Sequence, residues 1–330
     1  MTIESLNEKV LSLLKEKSAK ARALVKQLII EKKIGIQKVD KAIEQYLARW
    51  DDTTRPGVLA LACEAVGGNR EEVVPLQVAL LFIDATMDIH DDIIDESTTK
   101  KTRKTVYGKL GKGVTLLIGD AFMVRGFNYL SRTLENLAKD RRLGIMNTIE
   151  DFLSEVVEAH ILEAPLKGKK WGIRPETYFQ ILTKKASDIE GRMKVGAIYG
   201  GGSVKEIDAL SKYGRNIGTL LAVKSEFVDV FEPSELTHRI KNEVLPLPIL
   251  YALRNHKHGK QIREILKRND IGKKDCNELI EAIYDTREVA ILQNRLYRLK
   301  EEALKALRIL PNKQAKEESE LLVSFMMEDL

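Results

Sequence analysis

The sequence contains very little cysteine, with Cys63 and Cys276 as the only two in 330 residues. Two cysteines cannot form the network of disulfides that stabilises small secreted proteins. The chain begins with the charged segment MTIESLNEKV, which lacks the apolar run of a secretory signal peptide. We therefore expect a protein of the reducing cytoplasm.

The sequence also lacks a long apolar run and a strong excess of one charge. The apolar stretch at 73–83 is interrupted by Pro75 and Gln77, whereas a membrane-spanning helix needs about 20 apolar residues. Lys and Arg together number 54 and Asp and Glu number 49, which gives a net charge of +5. A nucleic-acid-binding protein would show a more concentrated basic surface. We expect neither a transmembrane segment nor a nucleic-acid partner.

Few residues interrupt helices, because the chain has only 8 prolines and 21 glycines. Apolar residues recur at helical spacings of three and four, for example at Leu6 and Val10 and again at Leu292 and Leu296. Alternating strand patterns are missing, and the breaks that contain proline or glycine are spread evenly. The sequence therefore predicts an all-α protein with a single domain over residues 1–330.

The segment FIDATMDIHDDIIDE at 82–96 has the clearest chemical signature. On a helix, its aspartates lie mostly three and four residues apart and form one acidic face: Asp84, Asp88, Asp91, Asp92 and Asp95. Like charges at these spacings destabilise a helix, so a compensating charge must come from outside it. Oxygen ligands at this density are typical of a site for a hard divalent cation such as Mg2+. The alternative interpretation is a solvated acidic face.

A basic segment, TTKKTRKTVYG, follows the acidic face and is predicted to be a loop. Its cations are Lys100, Lys101, Arg103 and Lys104. By itself, such a segment is typical of a basic surface loop. Beside carboxylates that hold Mg2+, it would instead form a site for a polyanion such as a diphosphate.

These motifs resemble those of the trans-isoprenyl diphosphate synthases, also called polyprenyl synthetases. The resemblance rests on HDDIID at 90–95, on the basic residues after it and on GKGVTLLIGDAF at 111–122. It implies a large all-α bundle of the isoprenoid synthase type with a central cavity, usually as a homodimer. It also implies prenyl diphosphate substrates and Mg2+ as the cofactor.

The resemblance assigns roles to individual residues of the first aspartate-rich motif and to three lysines. The motif residues, which in this family bind Mg2+ and take part in catalysis, correspond here to Asp91, Asp92 and Asp95. The residues that correspond to binders of the allylic diphosphate are Lys100, Lys101 and Lys184, of which Lys184 is also counted as catalytic. The family normally has arginines at the first two lysine positions, and lysine keeps the charge without the bidentate fork.

The second aspartate-rich motif departs from the family pattern. LAVKSEFVD at 221–229 stands where the family has FQxxDDxxD, so that Ser225 and Glu226 replace two aspartates. Glu226 and Asp229 lie three residues apart and share one face of a helix. We therefore keep these two residues as candidate metal ligands.

The pocket for isopentenyl diphosphate departs further from the family pattern. WDDTTRP at 50–56 stands where the family has GGKRxRP, so that Asp52 replaces a lysine and Arg55 is kept. Asp84 stands where the family usually has a histidine. Acidic side chains in an anion pocket oppose binding, so Arg55, Asp52 and Asp84 define a degenerate second-substrate site.

The function implied by the resemblance is that of a Mg2+-dependent prenyltransferase, which ionises an allylic prenyl diphosphate and condenses it with isopentenyl diphosphate. One alternative is a non-catalytic or regulatory subunit that forms a hetero-oligomer with another prenyl synthase. Another is a prenyltransferase or terpene cyclase with a different acceptor. Thr86 and Met87 correspond to the family's chain-length floor, and their medium size does not enforce a very short product.

Overall fold

The structure, a computed structural model, describes residues 3–100, 103–268 and 271–328. These residues are almost entirely helical, which confirms the prediction of an all-α protein. The exception is a short antiparallel hairpin of two strands, β1 (Thr99–Lys100) and β2 (Arg103–Lys104), within the segment predicted to be a loop. Strands of two residues are too short to produce an alternating pattern, so no periodicity could predict them.

The chain divides into two compact units. The N-terminal unit comprises Glu8–Met146 and Val195–Ser203, and the C-terminal unit comprises Met1–Asn7, Asn147–Lys194 and Val204–Leu330. Three of the four boundaries between the units fall within helices, namely α1 (Ile3–Glu31), α7 (Lys139–Glu163) and α9 (Ser187–Gly200), and the fourth falls between Ser203 and Val204. A single domain over the whole chain stays a prediction.

The N-terminal unit is built around the packing of two long helices, α4 (Arg70–Ile94) and α6 (Lys112–Thr133). Its shorter helices are α2 (Gln37–Leu47), α3 (Thr54–Ala65) and α5 (Val106–Leu110). The side chain of Asn69 begins α4 by accepting the backbone N–H of Glu71 at 2.9 Å. In the core, the rings of Phe82 on α4 and Phe122 on α6 meet edge to face, with centroids 6.4 Å apart.

Two glycines let α6 approach α4 closely. A Cβ atom at Gly119 would lie 2.2 Å from Nε2 of His90, and a Cβ atom at Gly126 would lie 3.1 Å from the carbonyl oxygen of Ala79. A larger residue at Gly119 would therefore crowd His90, beside the acidic face, and one at Gly126 would crowd the apolar half of α4.

Helix α4 passes a length and hydropathy test for a membrane span, and it is the one helix among the described residues that does so. However, 72% of its most apolar window is buried inside the protein. A helix that is mostly buried in this way is typical of the core of a folded domain.

The C-terminal unit is organised around α10 (Val204–Phe231). The helices that follow are α11 (Pro233–Asn242), α12 (Leu247–Ala252), α13 (Gly259–Leu266), α14 (Lys273–Tyr284), α15 (Arg287–Ala306) and α16 (Lys313–Met326), and α8 (Pro175–Lys185) precedes it. Short 3-10 turns occur at Ala164–Leu166 and Leu307–Ile309. The fully buried Tyr213 on α10 donates its hydroxyl to the carbonyl oxygen of Ser319 at 2.8 Å and links α10 to α16.

The packing of Phe122 gives a first prediction. Phe122→Ala removes a fully buried ring from the core of the N-terminal unit and should lower the free energy of unfolding by about 3–5 kcal/mol. Asn128→Ala, at an exposed position of the same helix, should change it by less than about 0.5 kcal/mol. Chemical denaturation followed by circular dichroism compares the two variants, and equal losses would contradict this account of the core.

Candidate active site

The acidic face lies on the C-terminal half of α4, as its spacing predicts. The helix ends at Ile94, and Asp95 is its C-cap residue, whose N–H bonds to the carbonyl oxygen of Asp91 at 2.9 Å. The C-terminal end of a helix has partial negative charge, so carboxylates there are doubly unfavourable. The negative charge at this end of α4 must be compensated by other elements.

The hairpin supplies part of that compensation through Lys100. Its Nζ lies 2.7 Å from a carboxylate oxygen of Asp92, a side chain that is only 6% exposed. Burial raises the pKa of Asp92 even though Lys100 opposes the shift. Burial lowers the pKa of Lys100, but the hydrogen bond and charge of Asp92 outweigh that effect and raise it. The buried carboxylate is therefore only partly compensated by its lysine.

Backbone contacts fix the hairpin beside α4. The hydroxyl of Thr105 donates to the carbonyl oxygen of Ser97 at 2.7 Å and accepts the N–H of Gly108 at 2.9 Å. A Cβ atom at Gly108 would lie only 2.0 Å from the carbonyl oxygen of Thr98. Glycine at this position allows the close approach that places Lys100 over Asp92.

Helix α3 and the residues before it supply a second compensating charge, through Arg55. Its guanidinium lies 3.0 Å from Asp52 and 3.6 Å from Asp88 on α4. The indole N–H of Trp50 also donates to Asp88 at 2.8 Å. Arg55 and Asp52, predicted for the second substrate, thus form an ion pair with each other. A part of the positive charge that was expected to hold a diphosphate is neutralised by protein carboxylates.

These groups line a cavity of about 780 Å³ in the N-terminal unit. Its lining residues are Ala42, Tyr46, Arg49, Trp50, Asp51, Asp52, Asp88, Asp92, Lys100, Arg103, Lys104, Thr105, Val106 and Lys109. The cavity therefore brings the first motif, the basic hairpin and the predicted second-substrate segment into one space. The prediction of a central cavity between helices is not tested by this observation.

Tyr46 is a candidate functional residue that the sequence reasoning missed. Its hydroxyl is buried beside the cavity and has no hydrogen-bond partner in the described part of the chain. Burial and the nearby carboxylates, above all Asp88 and Asp92, raise its pKa well above the ordinary value. Tyr46 is thus a protonated donor without a protein acceptor. A tyrosine on an amphipathic helix looks like a core residue in the sequence, which is why no signal distinguished it.

Several predicted residues are not among those that line this cavity. Asp84 is 3% exposed, so the position expected to face a second diphosphate is buried. Thr86 is fully buried and donates to the carbonyl oxygen of Gly119 at 2.9 Å. This bond links α4 to α6, and the role of Thr86 in a chain-length floor stays a prediction. Met87 is half-buried.

Two further predicted motif residues, Asp91 and Asp95, are half-buried on α4 and do not line the cavity. Lys101 lies outside the described residues. Among the described residues, no group of three or more His, Cys, Asp or Glu side chains is arranged to hold a metal ion by itself. Mg2+ typically uses only one or two protein carboxylates and completes its shell with water and substrate phosphates. The oxygen-only donors here, including the partly compensated Asp92, fit that chemistry.

Lys184, predicted to be catalytic, lies near the end of α8 in the C-terminal unit. Its Nζ donates to Glu158 on α7 at 2.8 Å in a partly exposed ion pair. The neighbouring Lys185 pairs with the buried Glu163 at 2.6 Å. Both lysines of this pair therefore have carboxylate partners within the C-terminal unit.

The second motif forms a buried ion-pair network. Both carboxylate oxygens of Glu226 accept from Arg239 at 2.9 Å, and one of them also accepts the N–H of Leu247. Tyr178 donates to the same carboxylate at 3.0 Å. Asp229 accepts from Arg239 at 2.5 Å, and burial raises the pKa of Asp229 to about 6. Arg239 thus pairs with both carboxylates, and their role as metal ligands stays a prediction.

The fold and this arrangement define an all-α protein with a candidate site for a diphosphate or another polyanion. A model of the polyprenyl synthetase family matches residues 36–283 of the chain. The match covers most of the sequence, so the chain belongs to the polyprenyl synthetase family. The resemblance seen in the motifs is confirmed.

Individual relatives agree with this family. A geranylgeranyl diphosphate synthase from Methanosarcina mazei is 32% identical over 192 residues, which are 58% of this chain and 58% of that protein. The chain thus spans less than two thirds of the length of the curated relatives that it matches first.

Solved structures share the fold. A geranylgeranyl pyrophosphate synthetase from Pyrococcus horikoshii is 24% identical with a TM-score of 0.83, over 98% of this chain and 99% of that one. A polyprenyl synthase from Caulobacter crescentus, described as complexed with calcium and isoprenyl diphosphate, has 18% identity and a TM-score of 0.74, over 96% and 97%.

The Arg239 network gives a second prediction. Arg239→Met leaves the buried Glu226 and the half-buried Asp229 without their cation and should cost about 3–5 kcal/mol of stability. Adding Glu226→Gln should restore part of that loss, because a neutral amide replaces the uncompensated charge. As a control, Arg254→Met removes the half-exposed pair with Glu176 and should cost no more than about 1 kcal/mol. Equal losses in urea denaturation for the two single variants would contradict the network.

Proposed function

We propose that this protein is a Mg2+-dependent prenyltransferase that ionises an allylic prenyl diphosphate and condenses it with isopentenyl diphosphate. The observation that carries the proposal is the cavity in which Asp88 and Asp92 face Lys100. The family of the chain, and a relative named a geranylgeranyl diphosphate synthase, support the substrate class.

The incomplete compensation of Asp92 supports a metal site. Burial raises the pKa of Asp92 although Lys100 opposes the shift, and a cation beside the carboxylate would favour its charged form. We assign Asp91, Asp92 and Asp95 as the residues that would hold Mg2+, which when bound would neutralise the diphosphate leaving group. The neighbouring structure described with calcium and isoprenyl diphosphate supports a divalent cation in this fold.

The residues of this chain would bind the leaving group and protect the reacting carbon atoms. Lys100 supplies positive charge at the cavity wall, and Lys101 and Lys184 are assigned to the same diphosphate on the motif resemblance. The bond between the allylic carbon and the diphosphate oxygen breaks, and its electron pair leaves with the diphosphate. The alkene of isopentenyl diphosphate then forms the new carbon–carbon bond, and a proton is lost. Apolar lining residues, such as Trp50 and Val106, keep water from the allylic cation.

This proposal makes a direct prediction about products and about Asp91. Purified protein with Mg2+, an allylic diphosphate and isopentenyl diphosphate should form longer prenyl diphosphates, detected by mass spectrometry. Asp91→Ala should lower the rate at least about 100-fold, because charge stabilisation of the leaving group is lost. Asp151→Ala, at an exposed position on α7, is the matched control and should keep the wild-type rate.

The outcomes of this assay separate the competing functions. Release of diphosphate without elongation would replace the proposal with a cyclase or a prenyltransferase that uses another acceptor. Turnover that requires a second prenyl synthase would replace it with a subunit role. An active Asp91→Ala variant would remove the metal assignment.

We also propose a homodimer that forms through the exposed face of α6. Large apolar side chains lie on this face, among them Leu117 at 67% exposure and Val124 at 69%. Adjacent exposed apolar residues on one helix mark an interaction surface more often than they mark a free one. A second copy of the chain presents the same face and can bury it symmetrically.

The dimer is tested by a charge on the α6 face. Leu117→Glu should convert the dimer to a monomer in sedimentation analysis, because it buries a charge in an apolar interface. Leu11→Glu, on α1 with 55% exposure, is the matched control and should leave the dimer intact. A monomeric wild-type protein, or a Leu117→Glu variant that still dimerises, would contradict this proposal.

A further inference from the structure

In the cavity of about 780 Å³, called the main cavity below, the carboxylates all have ion-pair partners, whereas most of the cations have none among the described residues. Each of its four carboxylates has a cationic partner within 4 Å, in the pairs Asp51 with Arg22, Asp52 with Arg55, Asp88 with Arg55, and Asp92 with Lys100. Three cations, Arg22, Arg55 and Lys100, thus pair with these four carboxylates, and Arg55 is shared by Asp52 and Asp88.

Four other cations of the cavity are left over. Arg49, Arg103, Lys104 and Lys109 line it, and within the described ranges none of them has a carboxylate within ion-pair distance. We call these four residues the basic cluster. The same residues, with Gln45 and Ala48, line an adjoining cavity of about 400 Å³. The cavity's cations that lack a carboxylate partner in the described part of the chain thus lie together, because all four line both cavities.

Gln45 on α2 brings two members of the basic cluster together. Its side-chain oxygen accepts from Nζ of Lys109 at 2.5 Å, and its backbone carbonyl accepts from Nε of Arg49 at 2.9 Å. Burial lowers the pKa of Lys109, and the charge of Arg49 lowers it further. Two like charges are therefore held close to each other by neutral partners, an arrangement that an anion would stabilise.

The other two members are Arg103 and Lys104, which form β2 of the hairpin. Lys100, in the facing strand, pairs with Asp92 of the first motif. The hairpin thus contributes both to the ion pair with Asp92 and to the basic cluster, and Asp92, Lys100, Arg103 and Lys104 all line this cavity.

We propose that the basic cluster binds the diphosphate of the second substrate, isopentenyl diphosphate. This inference rests on the proposed function and changes the location of the second-substrate site. The expected location is electrostatically poor, because Asp52 and Asp88 neutralise Arg55 and Asp84 is buried. The basic cluster offers two guanidinium and two ammonium groups, which suit a polyanion with several oxygens.

A binding measurement tests the basic cluster without any turnover. In Mg2+-free buffer, titration calorimetry with inorganic diphosphate and with isopentenyl diphosphate should show binding to the wild-type protein. Arg49→Gln and Lys104→Gln should each weaken binding at least about 10-fold, because each removes one of the four charges. Lys41→Gln, at an exposed position on α2 outside both cavities, is the matched control and should bind as the wild type does.

A kinetic measurement tests which substrate uses the basic cluster. Lys104→Gln should raise the KM for isopentenyl diphosphate at least about 10-fold and leave the KM for the allylic diphosphate unchanged. Equal increases in both KM values would overturn the assignment to the second substrate. If Arg49→Gln and Lys104→Gln both bind the two diphosphates with wild-type affinity, the basic cluster is not the binding site. The same conclusion holds if the protein binds anionic lipid vesicles but no soluble diphosphate.

The two measurements also separate this inference from the proposed function. If the protein turns over no prenyl diphosphate but binds isopentenyl diphosphate in a way that depends on Arg49 and Lys104, the proposed reaction fails and the binding site stands. If condensation proceeds and the cluster variants retain their KM values, the reaction stands and the inference fails.

Discussion

The negative charge at the C-terminal end of α4 is the constraint on which the rest of the candidate site depends. Aspartates at helical spacing repel one another and also oppose the helix dipole. The surrounding elements supply positive charge that offsets part of this repulsion. The β1–β2 hairpin places Lys100 beside Asp92, and α3 places Arg55 beside Asp88. Burial raises the pKa of Asp92 although Lys100 opposes the shift, so added positive charge beside Asp92 would favour its charged form. A divalent metal that arrives with a diphosphate would supply such charge.

The sequence was sufficient to predict the helical class and the acidic face, because both depend on local spacing. It could not predict the partners of the charged residues. Arg55 pairs with Asp88, which lies 33 positions further along the chain, and Arg239 reaches back from α11 to Glu226 on α10. Such pairs depend on how helices pack, and no motif records them. The burial of the Tyr46 hydroxyl beside the cavity also depends on helix packing, so the sequence could not predict it.

The two aspartate-rich motifs have therefore diverged in physical character. The first has a buried carboxylate whose charge is only partly compensated, beside a large cavity. In the second motif, Arg239 supplies the positive charge, and both carboxylate oxygens of Glu226 accept hydrogen bonds from protein groups. Its carboxylates form an ion-pair network within the C-terminal unit, and the assignment of Glu226 and Asp229 as metal ligands stays a prediction.

The most direct test is a crystal structure with Mg2+, isopentenyl diphosphate and an unreactive thio analogue of an allylic diphosphate. The account predicts metal between the allylic diphosphate and the first motif, with Asp92 among its ligands. It also predicts that the ion pair between Arg239 and Glu226 remains intact. Metal bound by Glu226 and Asp229, with Asp92 still paired only to Lys100, would contradict the account.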